Sequence, residues 1–220
     1  MSKFDLKPIQ KNKTSKELVY DELKSAILHG SIPKNELITE ISLSKSFDVS
    51  RTPVRESLAE LTKEGLLVHE QRKGFKVREI SENEKEQIIY LRKSMEKEGV
   101  RKLAPLITEE QIQELYDILS EQEEAAQNDD RLRNIELDQM FHKTILEFAE
   151  QNMFKKIFID LHNLTRVIGH EALMKPGRME EVIKEHRAIL EGLQEQDEQI
   201  AMDKLDYHLS NTETVVKNIK

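Results

Sequence analysis

The chain has 220 residues, enough for one large or two small domains. Hydrophobic residues make up 37% and aromatics 5%, with no tryptophan, which is lean but sufficient for helical cores built from Leu and Ile. No apolar run approaches the roughly 18 residues of a membrane span, and the start MSKFDLKPIQKNKTSK reads as a polar tail without the apolar centre of a signal peptide. Cysteine is absent, which excludes disulfides, thiolate metal sites and cysteine nucleophiles and fits a reducing compartment. The net charge of −8 is unevenly divided: residues 1–80 hold 15 Lys+Arg against 12 Asp+Glu, net +3, and residues 81–220 hold the remaining −11. A basic segment joined to an acidic one implies two modules with different partners.

Along 16–29 the apolar positions Leu18, Val19, Leu23, Ile27 and Leu28 recur with a helical period, and Gly30 is placed to end that helix. After the turn SIPKNELI, Thr39 can cap a short second helix carrying Ile41, Leu43 and Phe47. Asp48 and Val49 turn the chain into the stretch VSRTPVRESL. There Ser50 is a good N-cap, Pro53 is tolerated in the first turn, and Arg51 and Arg55 share one face at i, i+4. A helix start that shows two guanidinium groups seeks phosphate or guanine. This third helix buries Val54, Leu58 and Leu61 and stops at Gly65.

LLVHE and FKVRE flank QRKG as the two strands of a small hairpin. Three helices followed by a hairpin is the order of a winged helix-turn-helix. Its third helix enters the DNA major groove, and its wing touches the backbone or minor groove. Arg72, Lys73 and Gly74 fall at the wing tip, where cations suit phosphates and a bare Cα permits close approach.

From Ser81 the pattern is all helical. The pairs Ser81/Glu84 and Thr108/Gln111 have capping-box spacing. Six helices are expected, near 82–103, 108–128, 131–149, 152–172, 178–195 and 197–217. The fold class is therefore mainly α: an N-terminal winged helix-turn-helix joined to an all-α antiparallel helical bundle. The expected boundaries are a polar tail at 1–14, the winged domain at 15–78, a linker at 79–84 and the helical domain at 85–217.

Five of seven histidines follow residue 140. Asp138 and His142, at i, i+4, point from one helix face and can chelate a divalent metal. His186 and His208 sit among apolar residues on the fifth and sixth bundle helices, and bundle interiors build metal sites from facing helices. His162, Arg166 and His170 step by four along the fourth helix, either as a surface stripe or as a lining that could complete the metal shell. Arg92 with Glu96 is a further cavity candidate that a plain i, i+4 ion pair would equally explain.

Residues 32–77, with VSRTPVRESLAELTKEGLL and RKGFKV, resemble the DNA-binding domain of GntR-type bacterial regulators. LDQMFHKTIL, EHRAILEGL and YHLSN resemble the all-helical effector domain of the FadR subgroup, called FCD. The turn before the second helix reads Pro33-Lys34-Asn35 where that family usually has Pro-Gly. The resemblance implies that Arg51 and Arg55 face DNA, that Ser50 and Thr52 add phosphate or base-edge contacts, and that Gly74 is the wing-tip glycine. It places Asp138, His142, His186 and His208 at the positions of metal ligands. An Asp-plus-three-His set suits zinc by default, with nickel or manganese also possible. Arg166 resembles an arginine that family members point into the effector cavity, where it could pair with a carboxylate.

The implied protein is a cytoplasmic homodimeric repressor, without membrane association. It acts on a double-stranded DNA operator under control of a small organic acid. Two rivals share part of this reading: the same DNA-binding dimer with a bundle that only dimerises, and a metal-dependent enzyme. Against the enzyme, the sequence has no HExxH, no nucleophile elbow, no Gly-rich phosphate loop and no evident general base near the histidines.

Overall fold

Thr39, Ser81 and Thr108 each accept a hydrogen bond from a backbone N–H three residues on, and the side chains of Ser42, Glu84 and Gln111 each accept one from the cap residue's own backbone N–H. Three helices therefore begin where reciprocal capping satisfies their free N–H groups. The computed structural model describes residues 13–218 apart from His29 and Lys34, together with all their side chains except that of His162. The expected tail thus lies mostly outside the described residues, as does the candidate side chain of His162. The chain divides between Arg78 and Glu79 into two compact units.

In the first unit α1 (Ser15–Leu28), α2 (Glu40–Ser46) and α3 (Arg51–Lys63) precede β1 (Leu67–Glu70) and β2 (Gly74–Val77). Val19, Leu23 and Ile27 of α1 and Val54, Leu58 and Leu61 of α3 are buried where these two helices pack. Each such side chain contributes about 1.5–3 kcal/mol of hydrophobic stabilisation. Both helices close in the same way. The Ser31 N–H reaches back to the Ala26 carbonyl (2.9 Å) and the Leu66 N–H to the Leu61 carbonyl (3.0 Å), with Gly30 and Gly65 at positive φ between.

The hairpin is antiparallel, with Leu67 opposite Val77 and Glu70 opposite Gly74. Ile38, just before the α2 cap, exchanges two 2.8 Å backbone hydrogen bonds with Phe75 and so joins the edge of β2. Gly74 lies at the crossing, at φ +133°. A Cβ there would meet the Ile38 carbonyl oxygen at 2.4 Å, so only glycine fits.

The second unit holds seven helices among the described residues, one more than the sequence pattern suggests. They are α4 (Glu82–Leu103), α5 (Glu109–Gln127), α6 (Arg131–Phe148), α7 (Asn152–Asp160), α8 (His162–Leu173), α9 (Arg178–Gln194) and α10 (Glu198–Asn218). The single helix expected over 152–172 is interrupted at Leu161. There ψ is −6°, which tilts the peptide away from helical geometry, while the Leu161 N–H still closes α7 on the Ile157 carbonyl. Helix α10 packs along α9 and α4, α5 along α6 and α9, and α4 also against α6. Leu115, Leu137, Phe141, Ile189, Leu190, Leu193, Leu205 and Leu209 are buried in the shared core. No helix among the described residues is long and apolar enough to cross a membrane.

Candidate functional site

Helix α6 carries Asp138 and His142 one turn apart, α9 carries His186 and α10 carries His208. One ligand atom from each comes together within 4.8 Å of the others. Asp138 Oδ1 is 3.4 Å from His186 Nε2 and 3.8 Å from His142 Nε2, and His142 Nε2 is 3.2 Å from His208 Nε2. The three rings are buried, and Asp138 is partly exposed. Phe141 stacks on His186 with 4.3 Å between centroids, which fixes one ring plane.

Behind each ring stands an acceptor. Glu185 accepts from His208 Nδ1 (2.8 Å), Gln122 Oε1 from His186 Nδ1 (2.9 Å), and Glu96 Oε2 lies 2.6 Å from His142 Nδ1. Those acceptors are themselves held. Arg178 grips Glu185 with two hydrogen bonds of 2.7 and 2.8 Å and also reaches Thr212. Arg92 Nε donates to Glu96 (2.7 Å). The Gln122 amide nitrogen faces Asn134, leaving its oxygen for His186.

Glu185 and Gln122 favour a proton on Nδ1 of His208 and of His186, and Glu96 stands nearest Nδ1 of His142. A proton on each Nδ1 leaves each Nε2 a bare lone pair aimed at the cluster centre. His142 and His208 then face one another lone pair to lone pair at 3.2 Å, and His186 Nε2 is buried with no hydrogen-bond partner. In that tautomer the arrangement repels itself unless a proton or a cation stands among the nitrogens. Three of the six separations, 3.2, 3.4 and 3.8 Å, match neighbouring ligands on an ion with bonds of about 2.1 Å, and all four atoms lie within 4.8 Å. With neutral rings, Asp138, Glu96 and Glu185 also outnumber Arg92 and Arg178 by one negative charge. The donor set therefore fits a divalent metal ion.

Burial lowers the His186 imidazole to about 3, favouring the neutral ring that can donate a lone pair, and burial lowers His208 in the same direction. Burial opposes charge on Asp138, but His186, His142 and Arg92 outweigh it and hold the carboxyl well below its ordinary range. Burial likewise opposes charge on Glu96, which Arg92 and His142 hold at about 2. It opposes charge on Glu185, which His208 and Arg178 hold at about 2.

Of the effector candidates, Arg92 lies beside the cluster. Its Nη2 is buried without a partner, and with Asp138, Asn134, Arg178 and Thr212 it lines a cavity of about 20 Å³. Arg166 is buried too, but it donates to Glu136 (3.0 Å) and does not line that cavity. Gln122, Glu185, Arg178 and Asn134 escaped the sequence reading. Gln122 carried a signal, since it is a polar residue in line with Ile118, Leu119 and Ala125 on the buried face of α5.

In the first unit Arg51 and Arg55 stand on the outer face of α3, their side chains 55% and 62% exposed. Ser50 occupies the N-cap position without a side-chain cap bond, and Thr52 is exposed beside it. At the hairpin tip Arg72 is exposed at φ +64°. Lys73 pairs with Glu70 at 3.3 Å, and Gly74 is committed to the close contact with Ile38.

Two family models match the chain: "Bacterial regulatory proteins, gntR family" over residues 15–77 and "FCD domain" over residues 87–211. The Bacillus subtilis "Uncharacterized HTH-type transcriptional regulator YdhC" is 29% identical over 196 residues, covering 87% of this chain and 86% of that one. The Escherichia coli "HTH-type transcriptional repressor RspR" is 25% identical, covering 92% and 89%. Among solved structures, E. coli McbR/YncC superposes with a TM-score of 0.73 at 19% identity, covering 94% of this chain and 98% of that one. A GntR transcriptional regulator from Rhodococcus sp. RHA1 gives 0.76 at 20% identity, covering 93% and 98%.

Proposed function

The chain belongs to the gntR family of bacterial regulatory proteins and carries an FCD domain, which makes it a transcriptional regulator and not an enzyme. From that premise we propose that it is a cytoplasmic repressor, acting as a homodimer on paired half-sites of a DNA operator and controlled by a small carboxylate bound in the helical unit. Two-fold dimers match pseudo-palindromic operators because each subunit presents one reading helix to one half-site. Arg51 and Arg55, with Ser50 and Thr52, would contact the major groove, and Arg72 and Lys73 the backbone beside the wing. The bundle supplies dimerisation and ligand binding.

Asp138, His142, His186 and His208 would hold a divalent ion, zinc by default and nickel or manganese as alternatives. When bound, such an ion supplies a Lewis-acidic point for a carboxylate oxygen. The observation that carries this reading is the set of three imidazoles, two with Nδ1 hydrogen-bonded and the third with Nδ1 2.6 Å from Glu96, that come together with Asp138 within 4.8 Å. Arg92, which lines the same cavity and has a buried Nη2 without a partner, is the better-placed cation for the ligand's second oxygen. A cavity of about 20 Å³ has room for one water. An acid therefore enters only if Gly169, Ala172 and Leu173, which line it from α8, give way. A ligand that favours the displaced arrangement shifts the population toward it, and through the segment 79–84 alters how two DNA-binding units pair.

Elemental analysis of protein purified without chelator tests the metal, with about one ion per chain expected. A thermal-shift panel of small mono- and dicarboxylates tests the ligand, with stabilisation growing with the logarithm of concentration. Protein that contains no metal, takes up none of the three ions and shows no shift with any acid would leave only the dimerising bundle.

A further inference from the structure

The two arginines on the outer face of α3 do not stand free. Glu40, the first residue of α2, holds both. Its Oε2 accepts from Arg51 Nη2 at 2.7 Å, and its two oxygens accept from Arg55 Nε and Nη2 at 2.9 and 3.1 Å. The contact spans 11 and 15 residues of chain and bridges the two helices of the helix-turn-helix. Hydrogen bonds from Arg55 and Arg51 hold the Glu40 carboxyl at about 2, so it stays charged at any working pH.

We propose that Glu40 is a specificity-determining positioning residue, which aims both guanidinium groups at base edges and screens their charge from the phosphates. This rests on the DNA-reading role proposed above for Arg51 and Arg55.

Two physical effects follow from one carboxylate. The first is orientation. A guanidinium offers five N–H groups in a plane. Arg55 spends its Nε and one Nη2 proton on Glu40 and keeps Nη1, and Arg51 spends one Nη2 proton and keeps Nε and Nη1. Reading guanine at O6 and N7 needs a guanidinium fixed in plane and direction, and fixing it before binding removes part of the ordering cost.

The second effect is charge. The three groups together carry +1, not +2, which weakens the sequence-blind attraction to the backbone while leaving hydrogen bonding to bases intact. The wing repeats the device independently: Glu70 holds Lys73 at 3.3 Å and Lys76 at 2.7 Å. On both elements a carboxylate therefore tempers a pair of cations.

The test compares wild type with Glu40→Gln, and with Glu36→Gln as a control that removes the same charge from an exposed site. The probes are a duplex enriched from a randomised pool by the wild-type protein and a scrambled duplex of the same composition. Affinity is read by fluorescence anisotropy across a salt series, and folding by circular dichroism. Glu40→Gln is expected to bind the scrambled duplex more tightly, with a salt slope steeper by about 0.9 per subunit. Its preference for the enriched duplex is expected to fall roughly tenfold.

An unchanged preference, or an equal loss in Glu36→Gln, overturns the proposal. If Glu40→Gln does not fold, Glu40→Asp carries the test, since it keeps the charge but shortens the reach to Arg55; a wild-type preference in that variant also overturns it. Arg51→Ala and Arg55→Ala are run in parallel. If both bind the enriched duplex as wild type does, the reading role itself fails, a result distinct from an indifferent Glu40.

Discussion

Both units of the chain pair arginines with glutamates, and the surroundings give the pairs opposite properties. On α3 the guanidinium groups of Arg51 and Arg55 lie in water, sharing Glu40. In the bundle Arg92 and Arg178 lie in the core, each gripping a glutamate that in turn stands behind a histidine of the Asp138 cluster. Exposed ion pairs contribute little to stability, because water and salt screen them. Buried pairs are fixed, because neither charge has anywhere else to go. The exposed pair leaves its guanidinium groups open to water and to whatever docks on α3, as the DNA-reading role proposed for them requires. A frame that must keep three rings aimed at one point needs the buried kind.

The comparison breaks most completely at the ligands. Replacing His186 and His208 together by alanine is expected to reduce bound metal from about one ion per chain to none, measured by elemental analysis, while DNA binding by the other unit persists. Next comes the frame. Arg178→Met leaves Glu185 buried without its partner and is expected to destabilise the bundle by about 3–5 kcal/mol in urea titrations. Arg55→Ala should leave the urea midpoint unchanged and lower operator affinity roughly tenfold or more in gel shifts, a split that buried arginines cannot show.

Gln122→Ala is a gentler test of the frame, expected to weaken metal affinity about 10- to 100-fold in competition with a chelating dye. The smallest effect is on pH. His186 is lowered from 6.5 to about 3 in the fold, so the unfolded chain takes up its proton first. In metal-stripped protein this contribution to stability is fully present above about pH 6.5 and is lost as pH falls toward about 3. Urea titrations over that range should show the slope, and His186→Gln should flatten it.

The two units were not equally legible. In the first, the determining signals are local. A cap at Thr39, glycines at 30 and 65 and arginines at i, i+4 each act within a few residues, so the pattern along the chain is enough. Glu40 escaped because its partners depend on how α2 crosses α3. In the bundle, Asp138 and His142 could be read as one face of a helix, but the supports join residues as distant as Gln122 and His186, 64 apart. No period along a sequence encodes which helices face each other. The interruption at Leu161 left no mark because neither proline nor glycine causes it. The resemblance points Arg166 at an effector cavity; its Nη2 donates to Glu136 on the neighbouring α6, a partner no sequence period shows, while its Nε is buried without one.

Gly74 and Ile38 bear on what a duplex would encounter. The hairpin is stitched to the residue just ahead of the α2 cap, and a side chain at 74 would force the two apart. The wing is therefore tied to the helix-turn-helix, and with α3 as the proposed reading helix the two form one stiff caliper, whose prongs keep a set separation. When such a caliper closes on DNA, any mismatch in groove spacing must be absorbed by the nucleic acid. Base steps that bend easily then become favourable even where no side chain touches them.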